Sequence, residues 1–354
     1  MVCEMYQKEL KIAELAVQRA SLFTEKVLSS VDKVDAMDKV DQTPVTVGDL
    51  GAQALIISAI HHHFPQDTFV GEESASLLRE NQILAERVWQ LVSSTHLEDI
   101  ESESLLVKPK SLEEMLDIID LGLGSGGREG RVWILDPIDG TLTFMRGQQY
   151  AVCLCLVQNG EQKVGILGCP KMSLEDGKIS ETTIPTNGNG YLVSAVKGQG
   201  ALLRRLSSAQ LQPSWRPHSR IIENRSELQI VDCVAGRSMD QEKHRLVAEK
   251  LGVHWPGTEL WSTQLKYIAL AVGGHDLLIR IPKNEGHRTA VWDHAGGHLI
   301  YEEMGGKVTD IYGKDIDFGA GRRCYNNFGN IAAPPAIHGD VLNAVKEILG
   351  GVHV

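Results

Sequence analysis

Along the first thirty residues apolar side chains recur at steps of three, four and seven, with Leu10, Ala13, Val17, Ala20 and Val27 on one face. That period predicts an amphipathic helix over about Tyr6 to Val31. The next stretch, Asp32 to Asp41 (DKVDAMDKVD), is too charged to bury. TPVTVGDLGAQALIISAIHHHF then reads as a loop entering a second helix whose buried stripe is Ala52, Leu55, Ile56, Ala59 and Ile60. The triplet His61-His62-His63 closes that helix. Its members point about 100° apart, so it reads as a solvated helix end and not a metal site. Thr68-Phe69-Val70 is a short strand running into Gly71-Glu72-Glu73-Ser74. From Ala75 to Gly130 the pattern is irregular, with one helix at about Leu112–Leu121 and a Gly-rich exit, LGSGGREG.

The middle of the chain is β-rich. Arg131–Leu135 is a buried-type strand, and Tyr150–Gln158 and Lys163–Cys169 flank Asn159-Gly160, a hairpin signal. Gly190–Val196 and Ala201–Arg205 extend the antiparallel pattern, while Ser173–Asn189 reads as a surface insertion. Ser207–Arg225 is polar with two prolines and is the expected domain boundary, dividing the chain into 1–222 and 223–354. Strand and helix then alternate: strand Ile230–Ala235, helix Gln241–Leu251, helix Gln264–Val272, strand Asp276–Ile281, helix Trp292–Met304, strand Lys307–Thr309 and helix Asp340–Leu349. The N-terminal part therefore reads as α+β with an antiparallel sheet, and the C-terminal part as α/β.

Composition narrows the class. The 354 residues are 42% apolar and 23% charged, which excludes a disordered tail, a collagen-like repeat and a disulfide miniprotein. Thirty-five basic against 46 acidic residues leave a net charge of −11, which disfavours nucleic-acid polymers and anionic membranes as partners. A small anionic substrate remains open if bound cations reverse the sign locally. The opening residues lack the apolar core of a secretory signal, no run reaches the ~18 apolar residues of a membrane span, and neither lipidation pattern is present. Cys3, Cys153, Cys155, Cys169, Cys233 and Cys324 are scattered without a CxxC pair. They read as buried free thiols in a reducing compartment, the cytoplasm or the nucleus.

The chemistry concentrates in Asp136-Pro137-Ile138-Asp139-Gly140-Thr141. A strand delivers Asp136, the turn returns Asp139 three residues later, and both carboxylates and the Ile138 carbonyl can aim at one point. Hard divalent ions want such an oxygen cage. A helical turn starting at Thr141 would leave free N–H groups for a phosphate. Taken alone, the stretch can also be read as an ordinary polar turn, the less favoured of the two readings. Glu72-Glu73 at a strand end, Asp293 and Asp49 at helix starts each have an ordinary reading as well, an N-cap for Asp293 and a dipole partner for Asp49. Four acid sites of one character make a shared metal centre the more economical account.

The ordered set TPVTVGD, VGEES, WILDPIDGT and VWDHAGG resembles the lithium-sensitive, metal-dependent phosphatase superfamily that includes inositol monophosphatase. The stretches IIDLGLGSGGREGRVW, RGQQYAVCLCLVQNG, GILGCP and QLKYIALAVGG with DLLIRIP resemble the 3′(2′),5′-bisphosphate nucleotidases, which release the 3′-phosphate of 3′-phosphoadenosine 5′-phosphate. The resemblance runs from about residue 5 to 350. It implies an αβαβα layered fold and a Mg²⁺-dependent phosphomonoesterase with two or three ions. The metal ligands it implies are Glu72, Asp136, the Ile138 carbonyl, Asp139 and Asp293. Asp49 and Thr141 would orient and deprotonate the attacking water, and Gly140, Thr141, Arg237, Ser238, Lys266 and Arg280 would bind substrate. The expected partner is a small anionic phosphoester, and the expected state is a monomer.

Departures lie on the substrate side. The nucleotidases read KGF after DPIDGT, where this chain has Leu142-Thr143-Phe144. Their GHSSHD becomes Ala235-Gly236-Arg237-Ser238-Met239-Asp240, losing both histidines. DSQAKY becomes Ser262-Thr263-Gln264-Leu265-Lys266-Tyr267, and EKIWD becomes Thr289-Ala290-Val291-Trp292-Asp293. Two alternatives therefore stay open. One is a divergent paralogue acting on an inositol phosphate or a specialised metabolite; the other is a non-hydrolytic binder, sensor or isomerase-like catalyst on the same fold.

Overall fold

The computed structural model describes residues 5–30, 47–174, 177–185, 190–217, 227–272 and 274–350. The acidic stretch 32–41, the loop at 43–46, Cys3 and the boundary at 222/223 lie outside the described residues, and the segments 173–189 and 207–225 are described in part.

Helix α1 (Gln7–Ser30) and helix α2 (Val47–His63) form where the apolar spacing predicts them. Strand β1 (Thr68–Gly71) follows. The region expected to be irregular carries three unexpected helices, α3 (Ser76–Glu80), α4 (Gln82–Ser94) and α5 (Ile100–Ser104), before α6 (Leu112–Asp120), which stands where the sequence predicts it. Helix α4 is the correction of substance. Only Ala85, Val88 and Val92 are buried on it, a stripe too thin to stand out among polar residues, and Asn81 caps it by accepting from Leu84 N.

Strands β2 (Arg131–Asp139), β3 (Ala151–Gln158), β4 (Glu161–Cys169), β5 (Tyr191–Val196) and β6 (Gly200–Arg205) complete a sheet of order β1-β2-β3-β4-β5-β6, with α7 (Thr141–Met145) between β2 and β3. The β1–β2 pair is parallel and the others are antiparallel. Asn159 and Gly160 carry φ of 54° and 82°, the signs of a type I′ hairpin whose twist suits the flanking strands.

The second half contains β7 (Val231–Asp232), α8 (Gln241–Leu251), β8 (Thr258–Glu259), α9 (Thr263–Ala271), β9 (Leu278–Arg280), α10 (Ala295–Glu303), β10 (Lys307–Thr309), β11 (Asn330–Ala333) and α11 (Pro335–Gly350). Strands β10-β11-β9 form an antiparallel sheet, and β7 pairs in parallel with β8. Strands β8 and β11 were not expected, and β7 and β9 are shorter than their apolar runs. Helix α11 begins five residues early because Pro335 suits a first helical turn, where its missing N–H costs nothing. Helix α10 begins three residues later than expected, which leaves Asp293 outside it.

Alternation along the strands builds the layers. Trp133, Leu135, Leu154 and Ile166 face α1 and α2, whereas Cys153 and Leu167 face α9 and α10. In the small sheet Leu278 and Ala332 pack on the same α9–α10 layer, and Ile279, Ile331 and Ala333 pack on α8 and α11. The order is helices, sheet, helices, sheet, helices.

Candidate active site

At the end of β2 the pairing with β3 slips: Asp136 opposes Cys153, and Asp139 opposes Ala151. The bulge takes up Pro137 and Ile138, and Pro137 is tolerated there because a bulge needs no ladder donor. Ile138 N donates to Asp136 Oδ1 at 3.1 Å, and the Thr141 hydroxyl donates to the Ile138 carbonyl at 3.2 Å. Gly140 turns the chain at φ 97° and ψ 43°, a left-handed conformation that an L side chain resists. The Thr143 hydroxyl lies within 2.8 Å of the Gly140 carbonyl and 2.7 Å of the Gln149 carbonyl, closing the turn.

Three other elements bring acids to this point. Asp49 lies in the first turn of α2, which approaches so closely that a Cβ at Gly48 would stand 2.8 Å from Ile138 Cδ1. Glu72 follows β1 directly, and Asp293 precedes α10. Asp49 and Asp136 are 1% and 2% exposed, far from ordinary for carboxylates. Burial, then Glu73, Asp293, Asp49 and Asp139, push Glu72 well above the usual carboxylate range. Burial, Glu72, Asp139, Asp293 and Asp49 do the same to Asp136. Asp139 is pushed up to about 6 by burial and Asp293, opposed by hydrogen bonds from Ser262 and Gln264 N and by Lys266. The structure thus brings Asp49, Glu72, Asp136, Asp139 and Asp293 into mutual electrostatic contact.

The donors are all oxygen, which suits a hard divalent cation and not a thiolate- or imidazole-seeking metal. Among the described residues no three such side chains are already drawn tight enough to grip an ion. The chemistry of the donor set fits Mg²⁺.

On the substrate side Lys266 is buried and acts on both Asp139 and Asp232. Burial and Arg280 lower its pKa. Arg280 donates to the Thr263 hydroxyl and lines a cleft with Met239, Pro282, Thr289 and His294. Arg237 and Ser238 stand exposed on the loop between β7 and α8, and among the described residues neither side chain bonds to the acids. Leu142, where the resembling nucleotidases carry a lysine, is an apolar side chain 38% exposed.

Several supporting residues carry little or no signal in the sequence. Ser262 Oγ and Gln264 N both donate to Asp139 Oδ2 at 2.6 Å, so the start of α9 holds that carboxylate. Gln53, one turn after Asp49, donates to Glu73 O at 2.8 Å and accepts from Glu73 N. Thr289 Oγ1 donates to Asp293 Oδ2 at 2.9 Å and also meets His294 Nε2 at 2.9 Å. His294 Nδ1 lies 2.8 Å from the Tyr267 hydroxyl, and burial holds His294 neutral. Only Ser262 carries a sequence signal, as an N-cap residue ahead of an apolar helix.

The model of the inositol monophosphatase family matches residues 5–349. The chain belongs to the inositol monophosphatase family. A 3′(2′),5′-bisphosphate nucleotidase of Emericella nidulans is 44% identical over 350 residues, covering 97% of this chain and 99% of the relative. One of Schizosaccharomyces pombe is 40% identical over 348 residues, covering 97% and 96%. Among solved structures an IMPase of Thermotoga maritima superposes with a TM-score of 0.59 at 19% identity, covering 98% of this chain and 100% of its own, which speaks for the fold. This family member, like its relatives in general, is a phosphatase. No helix among its described residues is long and apolar enough to cross a membrane.

Proposed function

We propose that this protein is a Mg²⁺-dependent 3′(2′),5′-bisphosphate nucleotidase that converts 3′-phosphoadenosine 5′-phosphate to AMP and phosphate. The observation that carries the reading is the buried group of acids on a strand bulge, set beside Lys266 and Arg280. The names of the fungal relatives supply the substrate class.

Glu72, Asp136, the Ile138 carbonyl, Asp139 and Asp293 hold two or three Mg²⁺ ions. Bound Mg²⁺ supplies Lewis acidity, lowering the pKa of water and offsetting charge on the phosphate. Thr141 and Asp49 orient the attacking water and take its proton. The backbone around Gly140 and Thr141 positions the phosphate to be cleaved, and Lys266 and Arg280 bind the second phosphate. Arg237 and Ser238, on their exposed loop, reach the nucleotide from outside. Each of these groups comes from one chain, so a monomer carries the whole site. The free cysteines, with Cys153, Cys155 and Cys169 buried in β3 and β4, support a reducing cytoplasmic setting.

A second reading rests on Leu142, Gly236 and Met239, which replace a lysine and two histidines of the nucleotidases: another phosphoester, such as an inositol phosphate, is the better substrate. Phosphate release across a panel of bisphosphate nucleotides and inositol phosphates, with Mg²⁺ and with chelator, tests both. The nucleotidase reading expects the adenosine bisphosphate to lead the panel, with activity lost in chelator and reduced by about 10²-fold or more in Asp136→Asn. An inositol phosphate leading the panel would support the second reading. Metal-independent release would refute both.

A further inference from the structure

Glu72 and Asp293 are separated by most of the chain, and the fold brings these two carboxylates close enough to repel each other. Something must hold their backbones together against that repulsion. We propose that Arg322 is the positioning residue that sets the spacing of Glu72 and Asp293 and thereby the metal affinity of the site. The proposal rests on the metal reading given above.

The geometry is direct. Arg322 Nη2 donates to the Gly71 carbonyl at 2.6 Å, and Gly71 is the residue before Glu72. Its Nη1 donates to the Gly122 and Gly124 carbonyls at 2.9 Å each. The guanidinium carbon stands 4.8 Å from the ring centre of Trp292, and Trp292 is the residue before Asp293. The backbone adds a second tie, since Val291 N donates to the Arg322 carbonyl at 3.1 Å. One side chain therefore grips the residue preceding each of the two acids.

The Gly-rich stretch ahead of β2 acquires a purpose from this. A Cβ at Gly124 would lie 2.3 Å from the Phe69 carbonyl, so only glycine lets that segment lie against β1 with its carbonyls turned to Arg322. A guanidinium suits the position because it is planar. It can stack on an indole face while its edge donates to three carbonyls, which a lysine ammonium cannot do. Among the described residues no carboxylate forms an ion pair with Arg322, so its hydrogen-bonding capacity goes to backbone and its role is to place other groups.

Groups that orient metal ligands without touching the metal typically change affinity by about 10–100-fold when removed. The test is Mn²⁺ binding to the full-length, substrate-free protein, by titration calorimetry and by electron paramagnetic resonance, alongside circular dichroism and thermal midpoint. Arg322→Gln is expected to weaken Mn²⁺ binding about 10–100-fold. Arg322→Lys should fall between it and the wild type, and added guanidinium should recover part of the affinity in Arg322→Ala. Arg131→Gln is the control for general destabilisation. Arg131 is bonded to Asp67 and Glu9 at the far end of β2, and its loss should leave Mn²⁺ binding within about twofold. Wild-type affinity in a folded Arg322→Gln, or in Arg322→Lys should the glutamine variant not fold, would overturn the proposal. So would an equal loss in Arg131→Gln. A wild type that binds no Mn²⁺ would instead sink the metal reading itself.

Discussion

Asp139→Asn should make the metal-free protein more stable at neutral pH while destroying its activity. In the folded, metal-free chain the Asp139 carboxyl titrates at about 6 in place of 3.8, because it is buried and faces Asp293. A folded-state pKa above the unfolded one means that the folded chain holds the extra proton between those two values. The wild type accordingly loses stability as pH rises from about 3.8 through about 6, and the penalty stays in place above that. At about 1.4 kcal/mol per pH unit the cost is about 3 kcal/mol. An asparagine carries no charge. With its carbonyl oxygen in the place of Oδ2 it still accepts from Ser262 Oγ and Gln264 N, and its amide then turns toward the other acids.

The expected gain at pH 7.5 in chelator is therefore up to about 3 kcal/mol, or roughly 4 °C in midpoint for a chain of this size. The gain should fade toward zero below pH 4, where the wild-type carboxyl is protonated in both states. With excess Mg²⁺ the order should invert, because a ligand that binds only the folded wild-type site raises its midpoint with concentration. Thermal unfolding of both proteins from pH 3.5 to 8, with chelator and with Mg²⁺, measures all three. A variant less stable than wild type in chelator at pH 7.5 would refute the reasoning, since the bonds from the start of α9 would then outweigh burial and repulsion.

Gly140→Ala should keep the fold yet lower kcat by about 100-fold through a misplaced Thr141. The added Cβ meets the Thr143 hydroxyl at 2.9 Å in a left-handed turn, and unchanged kcat would show that the turn is not critical. Li⁺ at millimolar levels should inhibit phosphate release by taking one cation position, as the family membership suggests; full activity in tens of millimolar LiCl, roughly the level where weak cation sites fill, would count against that. Leu142→Lys combined with Gly236→His and Met239→His should lower the KM for 3′-phosphoadenosine 5′-phosphate more than it raises kcat, the mark of recovered uniform binding. No change in kcat/KM would show that Lys266 and Arg280 suffice.

Local rules carried much of the fold. The apolar period of α1, the Asn159-Gly160 hairpin and helix α8 are formed by residues whose neighbours in sequence already dictate their conformation, and each stands where the sequence predicts it. Local rules failed where tertiary packing decides. Helix α4 relies on three buried positions against α2 and α6, and β11 is a strand because β9 and β10 flank it. The delayed start of α10 likewise depends on the neighbouring strip, where Val291 N is spent on Arg322 O and Cys324 N on Thr289 O.

By itself the sequence determined that acids at a strand end and at helix starts would be the chemistry of this protein, because a carboxylate beside a turn or a helix N-terminus is a local arrangement. Its motif order also marked Glu72, Asp136, Asp139 and Asp293 as belonging together. Only the tertiary structure decided how they are held. Ser262 and Gln264 on Asp139, Gln53 on Glu73 and Arg322 on Gly71 are contacts between segments far apart in the chain. No periodicity or spacing encodes such pairs. The same holds for the raised proton affinity of the acids, which comes from burial and from like charges delivered by four different elements, quantities that exist only once the layers have closed.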